Sequence, residues 1–355
     1  GINNDMPYPR LSIHIVAWNS MQFLPDVLKS LSEQTFHDFS VLVIDNASTD
    51  GVAEFLRQEY PQMTLLRNPR NLGFSAAHNQ GIRYALERWN PEEYSDRFVL
   101  VTNPDLLFAP TCLAELMKAV DTHPEVGSFG PKLRRAFGEN QHDEVLQKTV
   151  KSNLIDSTGL HAHKNRIFTD RGAGEMDTGQ YDDKQEVFGV SGALACYRVS
   201  ALQDVRFEDE FFDHDFFAYK EDVDLAWRLQ DAGWNARFVP QALAFHYRGM
   251  YGKEQMGIWE KMKNRRTKST MRNYYSNRNH WLLIMKNERW INGLLSCWRV
   301  VPLEIGRLLY TILFELRNLR AFADAMRLFP RMMKKRVFGK ALRQRRTKEL
   351  RAWFV

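Results

Sequence analysis

The apolar runs Ser40-Val41-Leu42-Val43-Ile44 and Phe98-Val99-Leu100-Val101 stop at Asp45 and at Thr102-Asn103-Pro104-Asp105, respectively. Runs this short suit buried strands, and both lie between stretches of helical periodicity. Residues 11–17 and 63–66 read as two further strands. Residues 25–34, 52–59 and 75–89 read as helices, the first with Val27, Leu28 and Leu31 on one face and the second capped by Asp50. Strands alternating with helices predict an α/β fold: a mixed, mostly parallel sheet flanked by helices. Such sheets bind ligands at the carboxyl ends of their strands, so Asp45 and Asp105 are expected in one site.

Further along, residues 130–186 are polar and rich in glycine and read as a loop-rich insertion. Residues 187–198 return to a strand pattern in which Gly189 and Gly192 suggest close backbone approach. Residues 222–232 read as a helix stopped by Gly233, and 236–240 as a short strand before Phe245-His246-Tyr247.

A chain of 355 residues with 26% charged side chains can build a sizeable core without staples. Cys112, Cys196 and Cys297 form no close-spaced pair, which argues against a zinc ribbon or a disulfide framework and suits a reducing compartment. Residues 1–10 lack the apolar core of a signal peptide, and no stretch reaches the ~18 apolar residues of a spanning helix. The net charge of +6 is uneven: residues 331–351 hold ten Lys or Arg against the single acid Glu349. An acidic partner is expected there.

The chemistry-bearing residues each have a plainer reading. Asp45 to Gly51 is a turn that caps a helix, or a nucleoside contact helped by the glycine of Asn71-Leu72-Gly73-Phe74. Asn103-Pro104-Asp105 is an Asx turn, or a stiffened turn that offers Asp105 to a hard cation such as Mg²⁺, whose remaining ligands are phosphate oxygens and water. His246 is a satisfied core histidine, or a metal ligand opposite Asp105. Glu221, Asp222 and Asp224 favour a helix N-terminus by charge alone. The aromatic stretch before them, Phe211 to Tyr219, also offers a setting that raises a carboxylate pKa and stacks on a sugar ring. Arg228, four residues after Asp224, is expected to orient the helix.

In this order, Val16-Ala17-Trp18-Asn19-Ser20, Asp45 to Gly51, Asn71 to Phe74 with Ala77 to Gly81, Thr102 to Asp105 and Glu221 to Leu225 resemble the inverting glycosyltransferases of family 2, which have the GT-A (Rossmann-like) fold. The resemblance spans residues 11–247 and is nearest to the bacterial rhamnosyltransferases of cell-wall and surface polysaccharides. It implies a catalytic domain over 1–250, with a nucleotide half at 11–110 and an acceptor half at 111–250. Asp222 would be the catalytic base, with Glu221 as the lesser candidate. Ala17, Trp18, Asn19, Asp45, Asn46, Gly73, Asn79 and Asn103 would bind the nucleotide. Asp105 and His246 would hold Mg²⁺ or Mn²⁺, with Asn103 standing where the family's Asp-x-Asp motif has its first acid. Ser191, Gly192, Ala193, Phe217 and Tyr219 would line the donor sugar and acceptor.

The implied reaction moves a sugar, expected to be L-rhamnose from dTDP-rhamnose, onto a lipid-linked or polysaccharide acceptor. A UDP-sugar donor and a catalytically dead scaffold are the alternatives. Nucleotidyl transfer is disfavoured because residues 16–20 lack a glycine-rich basic loop. Residues 251–355 are expected to form a helical, basic extension. In it Leu294, Trp298, Val301, Ile305, Leu308, Ile312 and Leu316 recur on one helical face. With the polybasic end, this amphipathic helix predicts peripheral attachment to an anionic membrane at the cytoplasmic side, or pairing as a homodimer. Nucleic acid is not an expected partner.

Overall fold

The computed structural model describes residues 8–138, 149–247 and 270–355. The expected domain boundary at 250 falls outside these residues.

Strands β1 (Leu11–Ala17), β2 (Phe39–Asp45), β3 (Thr64–Arg67) and β4 (Phe98–Thr102) run parallel, in the spatial order β3-β2-β1-β4. Leu11, Ile13, Ile15 and Ala17 of β1 are buried in one cluster with Val27, Leu28 and Leu31 of α1 (Leu24–Ser32). The period of two thus meets the helical period across the layer. On the other side of the sheet α3 (Gly73–Leu86) packs Ala77 against Leu42 and Ile44. Helix α2 (Val52–Glu59) starts after Gly51, not on an Asp50 cap. Asp50 instead accepts the Met21 N–H from the neighbouring loop at 2.8 Å.

The sheet continues past β4 into a mixed half. β11 (Leu194–Arg198) lies antiparallel to β4 and to β6 (Val126–Gly138), which runs parallel to β12 (Asn235–Tyr247). β5 (Leu106–Phe108), β7 (Thr149–Ser157) and β10 (Glu186–Val187) complete ten strands. Among its described residues the expected loop-rich insertion holds the end of β6 and all of β7, with a further hairpin of β8 (Leu160–Ala162) and β9 (Phe168–Asp170), while 171–185 stay mostly in turns and loops. Two features hide this from the sequence. Gly159, Gly172 and Gly174 take φ of 115°, 76° and 84°, so they turn the chain between strands and do not break them. The polar residues pair across the sheet, with Lys132 and Arg134 meeting Asp177 at 3.1 and 2.5 Å. β12 also outruns the short strand expected at 236–240, because its register shifts between Val239 and Leu243 and Pro240 sits in that irregularity.

Between β4 and β12 lie α4 (Cys112–Thr122), α5 (Val199–Asp204) and α6 (Glu221–Asp231). The C-terminal residues form α7 (Thr270–Asn287), α8 (Trp290–Phe314), α9 (Leu319–Arg327), α10 (Phe329–Ala341) and α11 (Thr347–Ala352). Leu282, Leu283, Ala325, Met332, Leu350 and Phe354 from these helices share one apolar cluster with Phe188, Phe216, Val223 and Trp227. Among the described residues no helix is long and apolar enough to cross a membrane.

Candidate active site

The carboxyl ends of β1, β2 and β4 align because the register sets Ala17 opposite Asp45 and Ile15 opposite Thr102. Asp45 is fully buried there. One of its oxygens accepts the Ser48 N–H at 2.8 Å, and the other stands 3.2 Å from the Arg67 guanidinium. Asn19 fastens the neighbouring loop: its N–H donates to Ser48 Oγ and its side-chain oxygen accepts the Thr49 N–H. Trp18 is left 48% exposed at the rim.

Three expected nucleotide contacts are engaged within the protein itself. Asn46 is buried and donates to Asn71 Oδ1 and to the Gly73 carbonyl while accepting from Asn68. Asn79 is buried, accepts the N–H groups of Phe211 and Phe212 at 3.2 and 2.9 Å, and donates to the Phe212 carbonyl at 2.7 Å. Gly73, at φ 81°, approaches its own chain: a Cβ there would lie 2.5 Å from the Phe217 carbonyl oxygen. Buried amides must be satisfied, and Asn46 finds its partners within the nucleotide half whereas Asn79 finds them on the backbone of 211–212. Asn79 and the close approach of Gly73 stitch the nucleotide half to the segment that leads into α6.

The end of β4 meets α6 through a turn. The Asn103 N–H donates to the Ala193 carbonyl at 2.9 Å, and one residue back the Gly192 N–H donates to Asp222 Oδ2 at 2.9 Å. A Cβ on Gly192 would lie 3.0 Å from the Asp222 Cβ, so this approach leaves little room for a side chain. Asp222 Oδ1 accepts the Val223 N–H at 2.8 Å. Burial raises the pKa of Asp222, and these N–H groups hold the rise down. Burial and the adjacent Asp222 charge push Glu221 up to about 8, and its Oε2 is buried without a hydrogen bond. Both carboxyls are raised, and Glu221 carries the larger rise, so within the pair Glu221 holds a proton more readily than Asp222 does.

His246 lies beside Asp105 because β12 pairs with β5, setting His246 opposite Leu106. Its Nε2 stands 3.3 Å from Asp105 Oδ1, and its Nδ1 is 2.8 Å from Asp156 Oδ2. Burial alone would lower the imidazole pKa, but the two carboxylates outweigh it and raise it to about 9. Asp105 Oδ1 is buried without a well-directed hydrogen bond. A divalent ion taking its other ligands from phosphate and water would fit between the under-used Asp105 oxygen and His246 Nε2 once it displaces the proton that the two carboxylates hold on the imidazole, with Asp156 on Nδ1 orienting the ring. Among the described residues no cluster of three or more His, Cys, Asp or Glu would hold a metal unaided.

The aromatic stretch divides. Phe211, Phe212 and Phe216 are core residues and are unavailable to a sugar. Phe217 stacks on Tyr275 of α7 with centroids 4.9 Å apart, and Tyr219 is exposed. Phe217, Tyr219 and Lys220 all take positive φ (62°, 71° and 68°), a costly backbone for such side chains. Asn279 of α7 holds it: its amide nitrogen lies 2.7 to 2.8 Å from the carbonyls of Phe216, Ala218 and Tyr219. Arg278 adds the carbonyls of Asp215 and Phe216. Below this turn, Lys286 of α7 and Lys335 of α10 are buried between Asp213, Asp224, Glu210 and Asp215, and Arg228 bonds Asp224 as expected.

Asp156, Asn279, Lys286 and Lys335 were not among the expected site residues. Their one sequence signal is polarity at positions where the surrounding helical or strand pattern calls for apolar side chains.

The chain matches the sequence profile described as Glycosyl transferase family 2 over residues 12–206, and that of Glycosyl transferase family group 2 over 167–332. It is 31% identical over 245 residues to the N-acetylglucosaminyl-diphospho-decaprenol L-rhamnosyltransferase of Mycobacterium tuberculosis, covering 67% of this chain and 76% of that one. It is 25% identical over 240 residues to the rhamnosyltransferase WbbL of Escherichia coli, covering 66% of this chain and 82% of the relative. Among solved structures, TarS 1-349 of S. aureus superposes with a TM-score of 0.52 at 15% identity, over 94% of this chain and 83% of that one. GalNAc-T7 with UDP, GalNAc and Mn²⁺ superposes with a TM-score of 0.54 at 12% identity, over 79% of this chain and 48% of that one. These likenesses in structure identify the GT-A fold.

Proposed function

Because the chain belongs to glycosyl transferase family 2, we propose that it moves L-rhamnose from dTDP-rhamnose onto a lipid-linked saccharide acceptor at the cytoplasmic face of the cell membrane, inverting the anomeric carbon. The names of the two rhamnosyltransferase relatives support the sugar, and that of the mycobacterial one supports the acceptor class. One observation carries the mechanism: the Asp222 carboxylate is gripped by the Gly192 N–H on a turn hydrogen-bonded to Asn103, two residues before Asp105.

Asp222 accepts the proton of the acceptor hydroxyl as its oxygen attacks. Gly192 and Val223 orient that carboxylate. Asp105 and His246 are the proposed ligands of a Mg²⁺ or Mn²⁺ ion, which when bound neutralises charge on the departing nucleoside diphosphate. Asp45 closes the nucleoside side, with Trp18 available to stack on the base. With the leaving diphosphate already stabilised, no second protein acid is needed. A groove of about 800 Å³ next to the Phe217 stack is lined by Tyr274, Tyr275, Arg317, Arg320, Arg327 and Asp324, the acid being paired with Arg327. Its two tyrosines and surplus of arginines would suit a sugar diphosphate on the acceptor.

The test is release of nucleoside diphosphate from a panel of nucleotide-sugars, with a lipid-linked acceptor present and with or without Mg²⁺ or Mn²⁺. Metal-dependent release of dTDP from dTDP-rhamnose, lost in Asp222→Asn, is the expected result. Selective release of UDP would overturn the sugar and keep the mechanism. No release from any donor would favour a scaffold.

A further inference from the structure

Helix α8 is built the wrong way round for a soluble protein. Its buried residues are Asn292, Glu304 and Thr311. They are held by polar bonds: Glu304 to His280 at 2.7 Å and to Arg307 at 3.0 Å, and Asn292 Nδ2 to the Thr347 carbonyl at 3.3 Å. The buried Arg166 reaches Ser296 Oγ at 3.2 Å. The outward side carries Trp290, Ile291, Leu294, Leu295, Trp298 and Ile305, with Leu294 72% exposed and Trp298 65% exposed. Leu309, Ile312 and Leu313 continue it. At about 100° per residue these positions share one arc of roughly 140° along a helix roughly 37 Å long. An apolar face of this extent on the surface of a protein marks something that covers it.

Part of the basic run expected to serve this face is spent elsewhere. In the 331–351 run, Lys335 is buried among three carboxylates, and Arg336 donates to the carbonyls of Met285 and Glu288. Arg345 donates to the carbonyls of Gln230, Gly233 and Trp234. Lys335 and Arg345 strap the extension to the catalytic half, and Arg336 ties the extension to itself. Two other cations of the run stand beside α8. An open groove of about 660 Å³ is lined by Lys348 and Arg351 with Lys164, Arg299, Leu295, Trp298 and Val355, and among the described residues no Asp or Glu lines it.

We propose that the outward face of α8 lies in the interface of an anionic membrane, and that this groove receives the phosphate headgroup of a lipid. An acyl boundary covers the apolar arc, Trp290 and Trp298 suit the interfacial depth, and the four cations meet the negative surface. A second copy of the chain is the poorer occupant: pairing along α8 would cover the apolar arc but bring to the interface a cation-lined groove with no acid of its own to meet it. The proposal extends the sugar-transfer reading, since a lipid-linked acceptor would be met at the same surface, but vesicle binding is measured without donor and stands or falls alone.

Cys297 supplies the probe. It is exposed on α8, whereas Cys112 and Cys196 are buried. The full chain carrying an environment-sensitive fluorophore on Cys297 is mixed with vesicles of phosphatidylcholine, with and without phosphatidylglycerol, and co-sedimentation is read in parallel. The expected result is a blue shift and sedimentation that depend on phosphatidylglycerol. Lys348→Glu with Arg351→Glu should weaken binding at least about tenfold. Leu294→Ser with Trp298→Ser should do the same without altering the circular dichroism spectrum, because these side chains contribute little to the core. Absence of both signals with anionic vesicles overturns the proposal. So does a concentration-dependent dimer that Trp298→Ser dissolves in a protein that ignores vesicles. Binding that is equal on neutral vesicles, or indifferent to the two charge reversals, overturns the headgroup site.

Discussion

Helices α8 and α10 belong to the same extension and treat water in opposite ways. α8 turns Trp290, Leu294 and Trp298 outward and buries Asn292, Glu304 and Thr311, whereas α10 turns Lys335 inward onto Glu210, Asp213 and Asp215. The inward charges have a clear structural task. They fix the segment that carries Phe217, Tyr219 and Lys220 at positive φ and delivers Asp222 to Gly192. An ion cluster sealed in low dielectric is directional where apolar packing is not, at the cost of desolvating every member. The outward apolar face has no such partner among the described residues. The comparison teaches that the hydrophobic pattern of a helix says what it needs to meet, and does not say that the rest of its own chain will supply it.

The largest effect is expected at the group the inward network delivers. Asp222→Asn should lower kcat about 10³-fold at a smaller cost in stability of about 1–3 kcal/mol, since the one amide oxygen can accept from Gly192 or from Val223 but not from both. A stable variant with near-normal turnover would break the assignment of the base. Next comes the network itself. Lys335→Met leaves three buried carboxylates short of a cation and should cost about 3–5 kcal/mol in denaturant unfolding.

That cost has a sign in pH. Burial would raise the Asp213 carboxyl, but Lys286 and Lys335 overcome it and hold it well below the usual range. Lys335 is itself raised: burial lowers it, and Asp213 and Asp215 outweigh that. A depressed carboxylate contributes stability above its unfolded pKa and loses it as pH falls through its folded one; a raised lysine loses its share only as pH rises past ~10.4. The gap between wild type and Lys335→Met should therefore be flat from about pH 5 to 10 and narrow in stronger acid. A gap unchanged at low pH would remove the ionic explanation.

Asn279→Ala, which strips three carbonyls of their donor, should cost about 1–3 kcal/mol and lower kcat by roughly 10- to 100-fold, with a smaller change in the donor KM. Equal loss in both constants would point to general damage and away from positioning of Asp222. Glu221→Gln should act the other way on stability. A carboxyl raised to about 8 withholds its proton in the fold while the unfolded chain releases it, so stability declines as pH rises from about 4.5 to 8. The amide should flatten that decline, as read by unfolding midpoints at pH 5 and 8. The smallest effect is the nearest neighbour of the second largest. Lys334 pairs in solvent with Glu208, and Lys334→Ala should change stability by less than about 0.5 kcal/mol. Equal losses at 334 and 335 would erase the contrast between inner and outer charge.

The sequence by itself determined the parallel half of the fold and the identity of the acids at its strand exits. Strand and helix periods there are local, and Asp45 and Asp105 follow apolar runs directly. It also marked the acidic start of α6 after an aromatic run, and the resemblance to family 2 picked Asp222 out of it. Tertiary structure alone decided the rest. Asn79 and Asn46 look like ligand contacts until the backbone they serve is seen to arrive from other segments. Residues 130–186 look irregular because their charges pair across strands far apart in sequence. The basic run looks like a free patch, yet Lys335 and Arg345 end on carboxylates and carbonyls of the catalytic half, and Arg336 on carbonyls of the extension itself. Charge has no period: its partner is chosen by distance in space, and sequence spacing carries no record of it until the chain has folded.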